Sequence, residues 1–192
     1  MGIIEQVSEL DEAETIHYLP SQTVARAEAE RIKIRLVFDA SCKDRKAGTS
    51  LDDCLHVGPS LTPFLFYILL RYRENRIALA GDQEKDFLNI EINPADGDCF
   101  RFLWVKDITA KELEIIVYRY RTVVFGVSSS PFLLNAVLQH HIKTYQEQDP
   151  EFVAKLLHSC YVDDLVPGCE STEKTLGLYE KANERMLEGG SS

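Results

Sequence analysis

The sequence predicts an α+β fold from three observations. Short runs rich in β-branched and aromatic residues, such as residues 32–38 and 115–125, read as strands. Segments with apolar residues at helical spacing alternate with them, as in Leu65, Ile68, Leu69 and Tyr72. The third is Ser159-Cys160-Tyr161-Val162-Asp163-Asp164-Leu165-Val166-Pro167-Gly168, where two adjacent carboxylates interrupt apolar, β-branched flanks. Such flanks predict two short strands joined by a tight turn with Asp163 and Asp164 at its apex. Tyr161 and Val162 are poor turn formers, so the acids break a strand pattern rather than fill a polar loop.

Residues 1–16 are acidic and read as a surface helix or a tail ordered on contact. Apolar and basic residues alternate over 32–38, a half-buried strand with Lys33 and Arg35 on one face. Thr62 and Pro63 read as an N-cap and first helical position. Residues 77–92 read as a strand, a turn around Asp82 and a further structured segment. Asp96-Gly97 is a hairpin signal before the strand 100–105. In the strand 115–125, Tyr118, Arg119, Tyr120 and Arg121 interleave; such a face can stack bases and hold phosphates, or simply be solvated. Ser130-Pro131 starts a helix with Leu133, Ala136, Val137 and His140 on one stripe, and His140 and His141 read as surface or packing residues. Leu176, Tyr179, Ala182 and Met186 mark a last helix ending at Gly189-Gly190, and 189–192 reads as a Gly/Ser tail.

The acids carry the chemistry. Asp82 follows the apolar run Ile77-Ala78-Leu79-Ala80 and supplies a third carboxylate to go with Asp163 and Asp164. Acids at the ends of neighbouring strands suit Mg²⁺, which takes oxygen ligands and usually only one or two carboxylates. Two such ions clamp the attacking and leaving oxygens of a phosphoryl transfer. Without a cation, clustered carboxylates repel and their proton affinities rise.

Tyr161-Val162-Asp163-Asp164 matches the Y-x-D-D signature of reverse transcriptases. With Leu36-Val37-Phe38-Asp39-Ala40-Ser41, Ser50-Leu51-Asp52-Asp53-Cys54-Leu55 and Phe125-Gly126-Val127-Ser128-Ser129-Ser130-Pro131-Phe132-Leu133-Leu134-Asn135-Ala136, the chain resembles the polymerase of BEL/Pao-type LTR retrotransposons. Four blocks in the same order are far more specific than Y-x-D-D alone. The resemblance implies a right-hand palm, an antiparallel sheet backed by helices, with part of the fingers and no thumb, over residues 17–188. It implies that Asp82, Asp163 and Asp164 are catalytic and hold two Mg²⁺ ions together with the Gln83 carbonyl. It matches Arg35, beside Lys33, to the arginine that holds the incoming triphosphate, Phe87 to the residue that excludes a ribose 2′-hydroxyl, and Phe125-Gly126 to the nucleotide pocket. Tyr161, Ser130 and Pro131 match template and primer contacts, with Arg119 and Arg121 as further candidates. The implied partners are an RNA or DNA template with its primer, deoxynucleoside triphosphates and the rest of a retroelement polyprotein.

The 192 residues, 45% of them hydrophobic, suffice for one substantial core and one compact unit. No apolar run of membrane-spanning length and no signal-peptide layout is present, so no membrane partner is expected. Five scattered cysteines without a C-x-x-C pair predict reduced, mostly buried thiols in an intracellular setting, and the resemblance implies a cytoplasmic chain, with a virus-like particle or the nucleus as further locations. A zinc site from Cys160, Cys169, His140 and His141 lacks ligand spacing. The net charge of −10 is concentrated in the first thirty residues, ahead of a basic cluster running from Arg31 through Lys33 and Arg35 to Lys46. That balance predicts transient rather than tight template contact.

The chain departs from the family pattern at Gly81, Gln83 and Asp86, the last setting a negative charge beside the expected triphosphate site. Two readings lead, ahead of a third, a different Mg²⁺ phosphotransferase, which has only the acids in its favour. One is RNA-directed DNA synthesis by two-metal nucleotidyl transfer. The alternative is a truncated remnant that keeps the palm fold, with weak or no catalysis.

Overall fold

The computed structural model describes residues 2–8, 13, 15–27, 32–45, 47–82, 86–162 and 164–189, and for residues 26, 27, 32–35, 82 and 86 the backbone alone. The strands are β1 (Ile4–Gln6), β2 (Ser21–Ala27), β3 (Ile32–Phe38), β4 (Ile77–Ala78), β5 (Gly81–Asp82), β6 (Arg101–Val105), β7 (Ile115–Tyr120), β8 (Cys160–Tyr161), β9 (Asp164–Leu165) and β10 (Gly168–Cys169). The α-helices are α1 (Leu51–Cys54), α2 (Leu65–Glu74), α3 (Ser130–Lys143), α4 (Pro150–Leu157) and α5 (Thr172–Gly189). Among the described residues every strand pair is antiparallel and the strands form four small sheets, so the fold is α+β as predicted. The chain divides into two units, one of residues 1–58 and 87–130, the other of 59–86 and 131–192.

The first unit holds two sheets, β2–β3 and β1–β7–β6. Its core gathers Leu19, Phe38, Ala40, Leu51, Phe100, Phe102, Val124 and Val127. Phe38 meets Phe102 and Tyr120 edge-on at 5.6 and 5.2 Å, contacts worth about 0.5–1.5 kcal/mol each beyond the area they bury. The strand over residues 32–38 is as predicted. Three neighbouring expectations fail. The acidic start contributes an edge strand, because β1 pairs with β7 and sets Glu5 opposite Arg119. Asp96-Gly97 lies inside a 3-10 turn, Pro94–Phe100, begun by the Asn93 side chain accepting from Ala95 N at 3.1 Å. β7 stops at Tyr120, and the chain beyond it turns into the loop before α3.

The β6–β7 register puts Arg101 directly opposite Arg119. Like charges facing across a strand pair are destabilising unless a counter-charge joins them. Asp98 does so, accepting from Arg101 Nε at 2.8 Å and Arg119 Nη1 at 2.9 Å, and Glu5 Oε1 accepts from Arg119 Nε at 2.6 Å.

The second unit packs α4, α5 and the β8–β9 hairpin around Ile142, Phe152, Val153, Leu156, Cys160, Leu165 and Ala182. Asp149 caps α4 by accepting from Phe152 N at 3.1 Å, with Pro150 in the first turn. The helix starts and stripes differ from the sequence reading. α2 begins at Leu65 with Phe64 as N-cap and no side-chain cap, so Thr62-Pro63 does not start it. Ile68 alone is buried in that helix, while Leu65 and Leu69 are exposed. In α3 the buried positions include Leu134, Asn135 and Ile142, and Leu133, Val137 and His140 face outward. In α5 Thr175 and Ala182 are buried, whereas Leu176 and Tyr179 are exposed. The cysteines are free thiols, but only Cys160 and Cys169 are buried, since Cys42 and Cys54 are exposed.

Gly126 has φ of 88°, and a Cβ there would lie 2.2 Å from the Phe38 carbonyl oxygen. At Gly177, inside α5, an added Cβ would meet no atom within 4 Å, so a methyl there costs nothing in space. Gly126→Ala is therefore expected to lose about 2 kcal/mol or more, and Gly177→Ala to gain about 0.5–1 kcal/mol, in denaturant unfolding. Effects of the opposite sign would contradict the packing described.

Candidate active site

In the Tyr161–Asp164 hairpin, Cys160 pairs with Leu165 and Tyr161 with Asp164. Asp164 is therefore already in the return strand, not at the apex where the sequence reading put it. Val162, expected to resist a turn, sits in it with φ of 55°. Left-handed backbone costs an L-residue roughly 1–2 kcal/mol, and a β-branched residue is an outlier there. The flanks hold it in place. Cys160 and Leu165 are buried in the second core, Val166 N donates to Ser159 O at 2.8 Å, and Ser159 Oγ donates to Lys155 O at 2.7 Å.

β5 pairs on the other side of β9, with Asp82 opposite Asp164 and Gly81 opposite Leu165. Asp82 thus lies in a strand rather than the expected turn, and Gly81 keeps its pairing. Tyr161, Asp164 and Asp82 occupy one line of paired positions across β8, β9 and β5. Asp163 and Gln83 lie outside the described residues. Among the described residues no three His, Cys, Asp or Glu side chains gather as a metal cage, a set from which Asp163 and the Asp82 side chain are excluded.

The remaining candidates are held in the first unit, apart from Pro131, which opens the second unit's share of α3. Lys33 and Arg35 lie on β3 opposite Arg26 and Val24. Phe87 is buried, and its ring meets that of Phe125, 55% exposed, at 4.5 Å between centroids. Ser130 closes the loop that follows, its Oγ donating to Val124 O at 2.7 Å and its N–H to Val127 O at 3.1 Å. Asn135 Nδ2 donates to Pro131 O at 2.8 Å one turn later. The loop 124–130 is tied to both other sequence blocks of this unit. Ala40 N donates to Gly126 O at 3.4 Å, Asp52 N to Ala40 O at 3.0 Å, and Ser128 N to Asp52 Oδ1 at 2.9 Å.

Arg119 is engaged with Asp98 and Glu5, and Arg121 lies 3.7 Å from Glu5 and 4.0 Å from Glu91. Burial pushes the Asp98 carboxyl up, but the hydrogen bonds from Arg101 and Arg119 outweigh it and hold it below its ordinary value. Hydrogen bonds to Asp98 and Glu5 raise Arg119 in turn. Sequence reasoning missed Asp98 and Asp52, whose partners at Arg119 and Ser128 lie 21 and 76 residues away in the chain.

The chain is similar in structure to the foamy viral protease-reverse transcriptase solved in complex with double-stranded DNA, with TM-score 0.63 and 16% identity. That similarity covers 98% of this chain and 26% of the other, so the chain spans about a quarter of that protein's length. Residues 30–191 match the profile of the reverse transcriptase (RNA-dependent DNA polymerase) family. The chain belongs to that family. No curated protein matches the sequence.

Asp98 has its folded-state pKa depressed, so its contribution to stability is present above the unfolded carboxyl value and is lost as pH falls through the folded one. Asp98→Asn is expected to destabilise the protein by about 3 kcal/mol at neutral pH, because two guanidiniums lose the counter-charge they share. The variant should also lose less stability than the parent as pH falls below the ordinary carboxyl value of about 4, as read by unfolding midpoints. Val162→Gly, which removes left-handed strain at the hairpin tip, should raise the midpoint by the equivalent of about 1 kcal/mol.

Proposed function

We propose that this chain is the RNA-directed DNA polymerase part of a retroelement polyprotein of the BEL/Pao type, spanning residues 17–188. The observation that carries the reading is the β5–β9 register, which sets Asp82 directly across from Asp164 beside the Y-x-D-D turn. Residues directly opposite on an antiparallel pair share a face, with Cβ atoms about 4.5–5.5 Å apart. Such a pair suits a shared cation, and its carboxylates would repel without one. In this reading Asp82, Asp163, Asp164 and the Gln83 carbonyl hold two Mg²⁺ ions in a palm, which supply charge neutralisation at the phosphates in transfer.

The other residues bind and orient. Arg35 and Lys33, on a fingers hairpin, hold the triphosphate. Phe87, packed on Phe125, forms the floor that rejects a 2′-hydroxyl and so selects deoxynucleotides. Tyr161, Ser130 and Pro131 support the template and primer. Arg121, 45% exposed at its side chain, is better placed for phosphate than Arg119, which is 22% exposed. The free thiols suit a reducing compartment such as the cytoplasm.

Primer extension on an RNA template with Mg²⁺ tests the reading, using this chain and a longer one that carries flanking sequence. Asp82→Asn and Asp163→Asn should each cut extension by about a thousandfold or more, the scale of losing a preorganised charge at the reacting phosphate. Extension that survives either substitution would rule out these acids as the catalytic set.

A further inference from the structure

We infer that Asp52 is a positioning residue for nucleotide binding, fixing the loop that carries Phe125 and Gly126 through its hydrogen bond with the Ser128 amide. This inference rests on the nucleotide-binding role proposed for that loop. Ser128 N donates to Asp52 Oδ1 at 2.9 Å across 76 residues of sequence. The Ser128 Oγ is buried without a hydrogen-bond partner among the described residues, so the side chain does not duplicate that link.

The bond is one of three that close a circuit. Asp52 N donates to Ala40 O, and Ala40 N donates to Gly126 O. The end of β3, the start of α1 and the loop are thereby joined at one point. Val124 and Val127 anchor the loop in the core, 2% and 5% exposed, and Phe125 between them points outward onto the Phe87 ring. A rotation of the 126–128 backbone would carry the Phe125 ring and the Gly126 carbonyl with it. The Asp52 carboxylate is the side-chain restraint that reaches this backbone from α1.

The two adjacent acids divide their work. Asp53 accepts from Ser50 N at 3.0 Å to complete a capping box, and pairs with Lys43 at 2.6 Å. Asp52 has no part in that box and turns to Ser128 instead. Its task needs an oxygen acceptor at the right place, and it does not need a charge. An asparagine should therefore serve where an alanine fails.

Residue-resolved amide hydrogen exchange tests the link, together with titration of a deoxynucleoside triphosphate with Mg²⁺, on the parent chain, Asp52→Asn and Asp52→Ala. The Ser128 amide should be protected in the parent and in Asp52→Asn and should exchange freely in Asp52→Ala. Nucleotide affinity should fall roughly fivefold to tenfold in Asp52→Ala, the scale of one hydrogen bond, and stay within about twofold in Asp52→Asn. A Ser128 amide that exchanges as fast as a free loop amide in the parent overturns the proposal. So does equal weakening of nucleotide binding by Asn and Ala. If Asp52→Ala does not fold, the parent and Asp52→Asn still decide: protection and affinity must both be kept. A parent that binds no nucleotide while Ser128 stays protected refutes the polymerase reading and leaves Asp52 a brace without that role.

Discussion

The close passage of Gly126 under the Phe38 carbonyl governs the first unit. A side chain is excluded there, and the left-handed backbone lets the loop turn back towards α3 immediately after the core anchor Val124. Because Phe38 meets both Phe102 and Tyr120 edge-on, the loop is referenced to the β6–β7 sheet as well as to β3. Displacing any one of these would require the aromatic cluster to repack, which a close-packed interior resists. The exposed Phe125 ring is thus presented by a rigid frame although it sits on a loop.

The second unit shows the opposite arrangement at its hairpin. There the strands are two residues long, too short to be stable by pairing alone. Burial of Cys160 and Leu165 in the α4–α5 core supplies what the ladder does not, at about 1.5–3 kcal/mol for a fully buried leucine-sized side chain. That gain is of the size needed to offset the cost of holding Val162 left-handed. Strain concentrated at a tip whose flanks are over-determined is a common feature of functional turns.

Much of this was legible from sequence where a pattern had only one solution. The β3 strand followed from apolar and basic alternation over 32–36 with β-branched and aromatic residues after it, and the Asp163-Asp164 hairpin from its flanks. The hairpin's apex was misplaced, because a valine in a left-handed turn contradicts its local preference and only the buried flanks enforce it. Helix stripes failed for a different reason. In α3, Leu133 and Leu134 are both leucine, so the period could be drawn through either, and packing chose Leu134. Long-range polar links were least visible, since nothing local in Asp52 or Asp98 announces partners at Ser128 or Arg119. For the candidate site, sequence named the acids as candidates, and the strand register added that positions 82 and 164 are paired across β5 and β9.

Charge distribution ties these details to the acidic balance of the chain. Lys43, Arg101, Lys106, Arg119, Lys174, Lys181 and Arg185 are each engaged by a carboxylate. Cations consumed in this way release few counterions to a polyanion, and so add little to its binding. A net charge of −10 therefore acts on a polyanion with little local relief from these paired cations.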